Sequence, residues 1–173
     1  IYATNEDNTP VPETKTKNPY FFKLLHRVTA SELIEQGYLT QPIADIKNGY
    51  DTSNLEMKSG KFTQKTIEQA FEGQGRKTSG IVAQVVEASI YRKGVMFFAS
   101  TIQHANEIME SLPPENSRII TGATKKKDRE LIISQYKSQQ FKYLVNVSVL
   151  TTGFDAPHVD VIAILRATES AGL

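Results

Sequence analysis

The sequence predicts an α/β domain, a mostly parallel sheet with helices on both faces, preceded by an N-terminal extension. Three observations lead there. From Gly94 onward, short β-branched and aromatic runs alternate with longer segments whose apolar residues recur every three or four positions, the pattern of parallel strands joined by helical crossovers. Residues 143–147 and 159–165 have the length and composition of buried strands. The interval between them is chemically specialised: Thr151 and Thr152 offer hydroxyls, Gly153 lets the backbone approach a ligand, Asp155 offers a carboxylate and Pro157 fixes the chain before it re-enters the sheet. In an open α/β sheet, polar groups just beyond a strand's carboxyl end face the ligand crevice.

Taken in order, residues 1–19 are polar, hold Pro10 and Pro12 and show no sustained period, so they read as an extended or mobile lead-in. Residues 20–25 are apolar and aromatic. Ser31 can cap a short helix ending at Gly37, and 38–46 reads as a strand that Pro42 demotes toward an edge or a bulge. Residues 51–61 carry Asp, Ser, Asn and Gly without an apolar period and read as a loop. A helix over 63–71 places Ile67 and Phe71 on one face and closes at Gly73 and Gly75. Ile81, Val82, Val85, Val86 and Ile90 recur at helical steps, and periodicity outweighs their β propensity. A strand follows over 95–99. Ile102, Ala105, Ile108, Met109 and Leu112 then mark a helix that Pro113-Pro114 ends. Residues 118–121 are a strand, and 125–136 a helix with Leu131, Ile132 and Ile133 on its buried face. The expected organisation is a lead-in over 1–19, an extension with helices over 20–93 and an α/β core over 94–173.

Composition bounds the function classes. A chain of 173 residues with 39% hydrophobic and 23% charged residues can bury one core. The net charge of +1 hides a local bias: between positions 118 and 142, seven basic residues face only Asp128 and Glu130, an excess of five. Without cysteine there is no disulfide or thiolate metal site, and the three histidines lack ligand spacing, so no metal is expected. No apolar run is long enough to cross a bilayer and no secretory leader is evident. The expectation is a cytoplasmic protein without a membrane partner. The chain begins without methionine, as a fragment or processed chain would.

The central stretch resembles a known family. Thr151-x-Gly153-x-Asp155 between two hydrophobic strands looks like motif V of the superfamily 2 helicases, in their second RecA-like lobe. Gly94-Val-Met-Phe-Phe-Ala-Ser100, followed by Ile102 and His104-Ala105, resembles the motif IV strand and helix, and Ile119-Ile-Thr-Gly122 with Arg129 resembles the strand, turn and arginine between the two motifs. Upstream, Ala30-Ser-Glu-Leu-Ile-Glu-Gln-Gly-Tyr-Leu-Thr-Gln-Pro42 is similar to the approach to this lobe in the RadD-like bacterial DNA-repair branch. The resemblance implies a RecA-like P-loop NTPase fold, truncated before motif VI.

It also assigns roles. Read alone, 153–157 is a turn whose aspartate caps nearby backbone; in the family, Gly153 and Asp155 would line the nucleotide cleft between two lobes. Thr151 and Thr152 suit phosphate oxygens, which position nucleic acid without reading its bases, although strand-end capping would use the same hydroxyls. Ser100 and Thr101, at the end of the motif IV strand, can act similarly through hydroxyls or the backbone N–H groups opening the next helix. His104 could join them or merely pack. Lys125, Lys126, Lys127 and Arg129 form the dense basic cluster; a solvated face is the plain reading, but lysines at a helix N-terminus oppose its dipole unless an anion is near. By contrast, residues 73–78 are not a phosphate loop, because Arg76 stands where a glycine is required and no strand precedes it.

A superfamily 2 motor also needs a phosphate-binding lysine loop, an acidic magnesium motif and an arginine-bearing motif VI. None is found here, and Arg166 is not in the place of an arginine finger. The resemblance therefore implies a parent that uses ATP and Mg2+, binds DNA (an RNA-helicase role fits the same motifs) and supplies a first RecA-like lobe as partner. The fragment alone is expected to hold no complete catalytic set and no tightly bound cofactor. Two other readings fit part of the pattern: a nucleic-acid-binding or protein-interaction module without motor activity, and a doubly wound small-molecule enzyme.

Overall fold

The computed structural model describes residues 2–4, 10–12, 27–43, 49–150 and 154–167. Thus the apolar run 20–25 lies outside the described residues. The chain divides into two units, Ile1–Asp45 and Ile46–Leu173.

In the first unit, β1 (Tyr2–Thr4) pairs antiparallel with β2 (Pro10–Pro12), so this part of the expected lead-in is paired strand. Helix α1 (Ala30–Glu35) begins at Thr29, not at Ser31. The Thr29 hydroxyl accepts from the Glu32 N–H at 3.2 Å while the Glu32 carboxylate accepts from the Thr29 N–H at 2.6 Å, a reciprocal cap that satisfies two otherwise orphaned donors. Hydrogen bonding from Thr29 backbone and side chain holds the Glu32 carboxyl below its ordinary range. Gly37 closes the helix at φ +76°, after which the Tyr38 and Leu39 N–H groups turn back to the Leu33 carbonyl. That turn consumes the start of the strand expected over 38–46: residues 38–43 are irregular, and 44–46 lie outside the described residues.

The second unit opens with a short hairpin, β3 (Met57–Lys58) and β4 (Lys61–Phe62), in the stretch expected to be a loop. Its two turn residues, Ser59 and Gly60, both have positive φ, the requirement of a type I′ turn. Then come α2 (Gln64–Phe71) and α3 (Gly75–Ala88). Gly73 makes the bend between them at φ +67°. The 73–78 stretch therefore follows a helix and itself opens one, a context unlike a phosphate loop.

The remaining elements alternate: β5 (Gly94–Ala99), α4 (Ile102–Glu110), β6 (Ser117–Ile120), α5 (Lys126–Lys137), β7 (Tyr143–Asn146) and β8 (Val159–Leu165). The four strands form one parallel sheet in the order β6-β7-β5-β8. Alternate side chains of β5 enter opposite cores, as a strand's two-residue period demands. Val95, Phe97 and Ala99 pack with Ile81 and Val82 of α3 and Ala105 and Ile108 of α4. Met96 and Phe98 belong to the other cluster, with Tyr136, Ile132 and Ile133 of α5. Two helix stripes shift from expectation. His104 is buried on α4 while Ile102 faces outward, and on α5 the core residue is Tyr136 while Leu131 is 57% exposed. On the edge strand β8, Ile162 and Ile164 are exposed and Ala163 and Leu165 are buried.

The start of β5 is tightly fitted. The Asp160 carboxylate accepts from the Lys93 and Gly94 N–H groups at 3.1–3.3 Å, and the register shifts between Gly94 and Val95. A Cβ at Gly94 would lie 2.7 Å from His158 Cδ2. Gly94→Ala should destabilise the protein by roughly 1–3 kcal/mol, as overpacking a filled core does. Gly80→Ala, inside α3 with nothing within 4 Å of the new Cβ, should stabilise it by about 0.5–1 kcal/mol. Urea unfolding of the two variants checks both signs.

Candidate functional site

Parallel strands place all their carboxyl ends at one edge, and each crossover helix starts there. Ser100 and Thr101 follow β5, and the turn 121–125 follows β6, so the N-termini of α4 and α5 open at this same edge. The sheet thus brings Ser100 and Thr101 to the same edge as Lys125, Lys126, Lys127 and Arg129. Each N-terminus contributes partial positive charge from its first N–H groups.

Ser100 is partly buried, and its hydroxyl donates to the Leu165 carbonyl at 3.2 Å, tying β5 to β8. Thr101 is the N-cap of α4. Its hydroxyl accepts from the His104 N–H at 3.1 Å and donates to the Glu72 carboxylate at 2.6 Å. His104 does not reach solvent: it is 0% exposed, with its ring against Tyr50 and Phe71. Its Nδ1 accepts from the Ser100 N–H at 3.3 Å and its Nε2 lies 2.9 Å from the Tyr50 hydroxyl. Tyr50 in turn is 2.9 Å from the Thr78 hydroxyl, which donates to Glu107 at 3.5 Å. The other Glu107 oxygen accepts from the Gly73 N–H at 2.7 Å. Glu107 therefore fastens the α2–α3 bend to α4. Burial pushes the Tyr50 hydroxyl up from its ordinary range.

At α5, Lys125 is the N-cap and makes no side-chain cap; Lys125, Lys126 and Lys127 are exposed, and Lys126 reaches Glu130 at 4.0 Å. Asp128 in the first turn offsets part of their unfavourable placement on the dipole. Arg129 is different from the lysines. It folds back to donate to the Thr124 carbonyl at 3.2 Å and braces a turn in which the Thr121 N–H also donates to the Thr124 hydroxyl. Its Nε is buried without a partner among the described residues.

Asp155 stands apart from this group. The chain leaves β7 through Asn146, whose buried side chain accepts from the Val149 and Leu150 N–H groups at 3.1 and 2.9 Å. It returns beside Tyr136: the Phe154 ring stacks on Tyr136 with centroids 6.4 Å apart, and the Lys137 ammonium lies 5.7 Å from the Phe154 ring. Tyr136 and Lys137 form the last turn of α5, about 12 Å along the axis from its first. Asp155, exposed, therefore follows a residue anchored at the far end of α5 from the lysines. Thr151, Thr152 and Gly153 lie outside the described residues. Behind Phe154, burial holds the Tyr136 hydroxyl above and the His158 imidazole below their ordinary ranges.

Among the described residues no three His, Asp or Glu side chains converge as a metal site. Nor is any described helix long and apolar enough to cross a membrane. Sequence reading missed Tyr50, Glu72, Thr78 and Asn146. Only Asn146 carried a local signal, a polar residue ending an apolar strand.

Comparisons with known proteins accord with this architecture. The model of the helicase conserved C-terminal domain matches residues 77–172. A Schizosaccharomyces pombe protein named as the mitochondrial ATP-dependent helicase irc3 is 26% identical over 133 residues, 75% of this chain and 22% of that one. The Escherichia coli transcription-repair-coupling factor is 32% identical over 95 residues, 51% and 8% of the two chains. The solved Pyrococcus furiosus Hef helicase domain aligns at 23% identity over 56% of this chain and 21% of its own, with a TM-score of 0.45. The chain spans less than a quarter of the length of these two relatives.

Burial lowers the His104 pKa from 6.5 to about 4, with Glu107 opposing the shift. The folded state then binds fewer protons than the unfolded chain between those values, so stability is full above about pH 6.5 and falls as pH drops toward 4. The contribution is on the order of 3 kcal/mol. Urea unfolding from pH 7 to pH 4.5 should show that loss in the native chain and a shallower dependence in His104→Asn.

Proposed function

Because the chain belongs to the helicase conserved C-terminal domain family, we propose that it is the second RecA-like lobe of an ATP-dependent nucleic-acid helicase or translocase. The observation that carries this reading is the convergence of the α4 and α5 N-termini, Ser100, Thr101 and three exposed lysines at the carboxyl edge of one parallel sheet. Such an edge suits a phosphate backbone.

In this reading the N–H groups that open α4, aimed by the Ser100–Thr101 turn, and the exposed Lys125, Lys126 and Lys127 hold one strand by its phosphates. Arg129 shapes the 121–124 turn beneath it. Thr151 and Thr152 join them on the strength of the motif V resemblance. Asp155 faces the nucleotide instead, where its exposed carboxylate can accept from a ribose hydroxyl, with Gly153 leaving room for the approach. ATP hydrolysis, completed by groups outside this lobe, supplies the free energy; magnesium would be held there too. Alternation between two lobe arrangements moves the strand only if the edge binds it better in one of them, since a ligand shifts an equilibrium only by its differential affinity.

DNA is the proposed nucleic acid, in repair and in the cytoplasm. The repair assignment leans on the RadD-like sequence at 30–42 and on relatives such as the transcription-repair-coupling factor.

Two measurements on the full-length protein test the reading. Its ATPase should be stimulated by single-stranded DNA, and Asp155→Ala should lower turnover at least about tenfold, the scale of one lost interaction worth 1.4 kcal/mol. Turnover indifferent to every DNA and RNA tested would sink the proposal. Replacing Lys125, Lys126 and Lys127 with alanine should flatten the salt dependence of strand binding by about 2 units in log–log slope, about 0.7 for each lost phosphate contact. An unchanged slope would remove the lysines from the interface.

A further inference from the structure

We propose that His104 is a positioning residue for strand binding, holding the Ser100–Thr101 turn in its binding form, and that Tyr50 holds His104. This rests on the nucleic-acid reading above. It adds that a residue upstream of the matched 77–172 segment is built into that segment's nucleic-acid edge.

The two ring nitrogens of His104 fix its tautomer. Nδ1 accepts from the Ser100 N–H at 3.3 Å and so carries no proton. Nε2 therefore carries it and donates to the Tyr50 oxygen at 2.9 Å. Tyr50, having accepted, donates to Thr78, and Thr78 donates to Glu107. Every hydroxyl in the relay accepts once and donates once, and the relay ends on a carboxylate. Its direction is thereby set from the Glu107 end, and reversing the imidazole would leave the Ser100 N–H facing another N–H.

Ser100 is gripped from both sides by this arrangement. Its N–H is held by His104 and its hydroxyl by the Leu165 carbonyl. Thr101 is gripped likewise by the His104 N–H and Glu72. These contacts determine where the first N–H groups of α4 point.

Stability alone does not call for a histidine here. The site is enclosed by Tyr50 and Phe71, and the neighbouring buried positions on α4 are Ala105 and Ile108. An apolar side chain would fill it without the desolvation that a buried polar relay must offset. What an apolar residue cannot do is hold the Ser100 N–H.

The test uses full-length protein, oligo-dT as the strand, and the KM values for strand and for ATP measured separately. His104→Leu should raise the strand KM about tenfold while the ATP KM stays within about twofold. His104→Asn, whose Oδ1 can replace Nδ1 as the acceptor for Ser100, should recover to within about threefold of the native value. Tyr50→Phe, which deletes one oxygen, should raise the strand KM about threefold. The proposal is overturned if His104→Leu leaves the strand KM unchanged, if both KM values rise together, or if His104→Asn recovers nothing. Should His104→Leu fail to fold, an unchanged strand KM in Tyr50→Phe overturns it. A native protein whose turnover ignores oligo-dT and every other nucleic acid refutes the nucleic-acid reading itself, and that result is seen before any variant is made.

Discussion

The structure depends on β5 being covered on every side. It is paired along one edge with β7 and along the other with β8, and its side chains fill two cores in alternation. A strand so enclosed must be apolar on both faces, which is why residues 94–99 contain no charged side chain. It must also receive a helix on each face, which α3 and α4 provide on one side and α5 on the other. Parallel pairing then fixes where function can lie. Each crossover brings the chain back to the amino end of the next strand, so helix N-termini and post-strand turns collect at the opposite edge. The meeting of Ser100, Thr101 and the lysines is a consequence of topology before it is a matter of recognition.

The elements with a sustained period were readable from sequence: β5 through β8 and the helices between them have patterns that tertiary packing reinforced. The short elements were not. The β3–β4 hairpin is only a few residues long and its type I′ turn uses Ser59 and Gly60 instead of a strong Asn-Gly signal. The α1 cap was present as Thr29-x-x-Glu32 yet is displaced by two positions from the serine that suggested itself. The strand expected after Gly37 gave way to backbone turning back onto Leu33.

The site was readable as a set of residue types and not as a set of neighbours. Nothing local reveals that Tyr50 bonds His104 across 54 positions, or that Thr78 reaches Glu107 across 29. Nor does anything local in the sequence say how far Asp155 lies from the lysines. A connection that leaves the carboxyl end of β7 and begins β8 at its amino end must cross the depth of the sheet, and Phe154 is anchored after most of that crossing. The consequence is two chemically different stations on one lobe. One edge offers hydroxyls, ammonium groups and helix N-termini for a strand; the Asp155 segment offers a carboxylate toward a nucleotide.

Amide hydrogen exchange of the full-length protein, with and without single-stranded DNA, tests that division most directly. The account predicts slower exchange on DNA binding in the first turn of α4 and in residues 121–129, with the backbone around Asp155 responding to nucleotide. Protection by DNA confined to the Asp155 segment, with residues 100–105 and 121–129 unchanged, would contradict it.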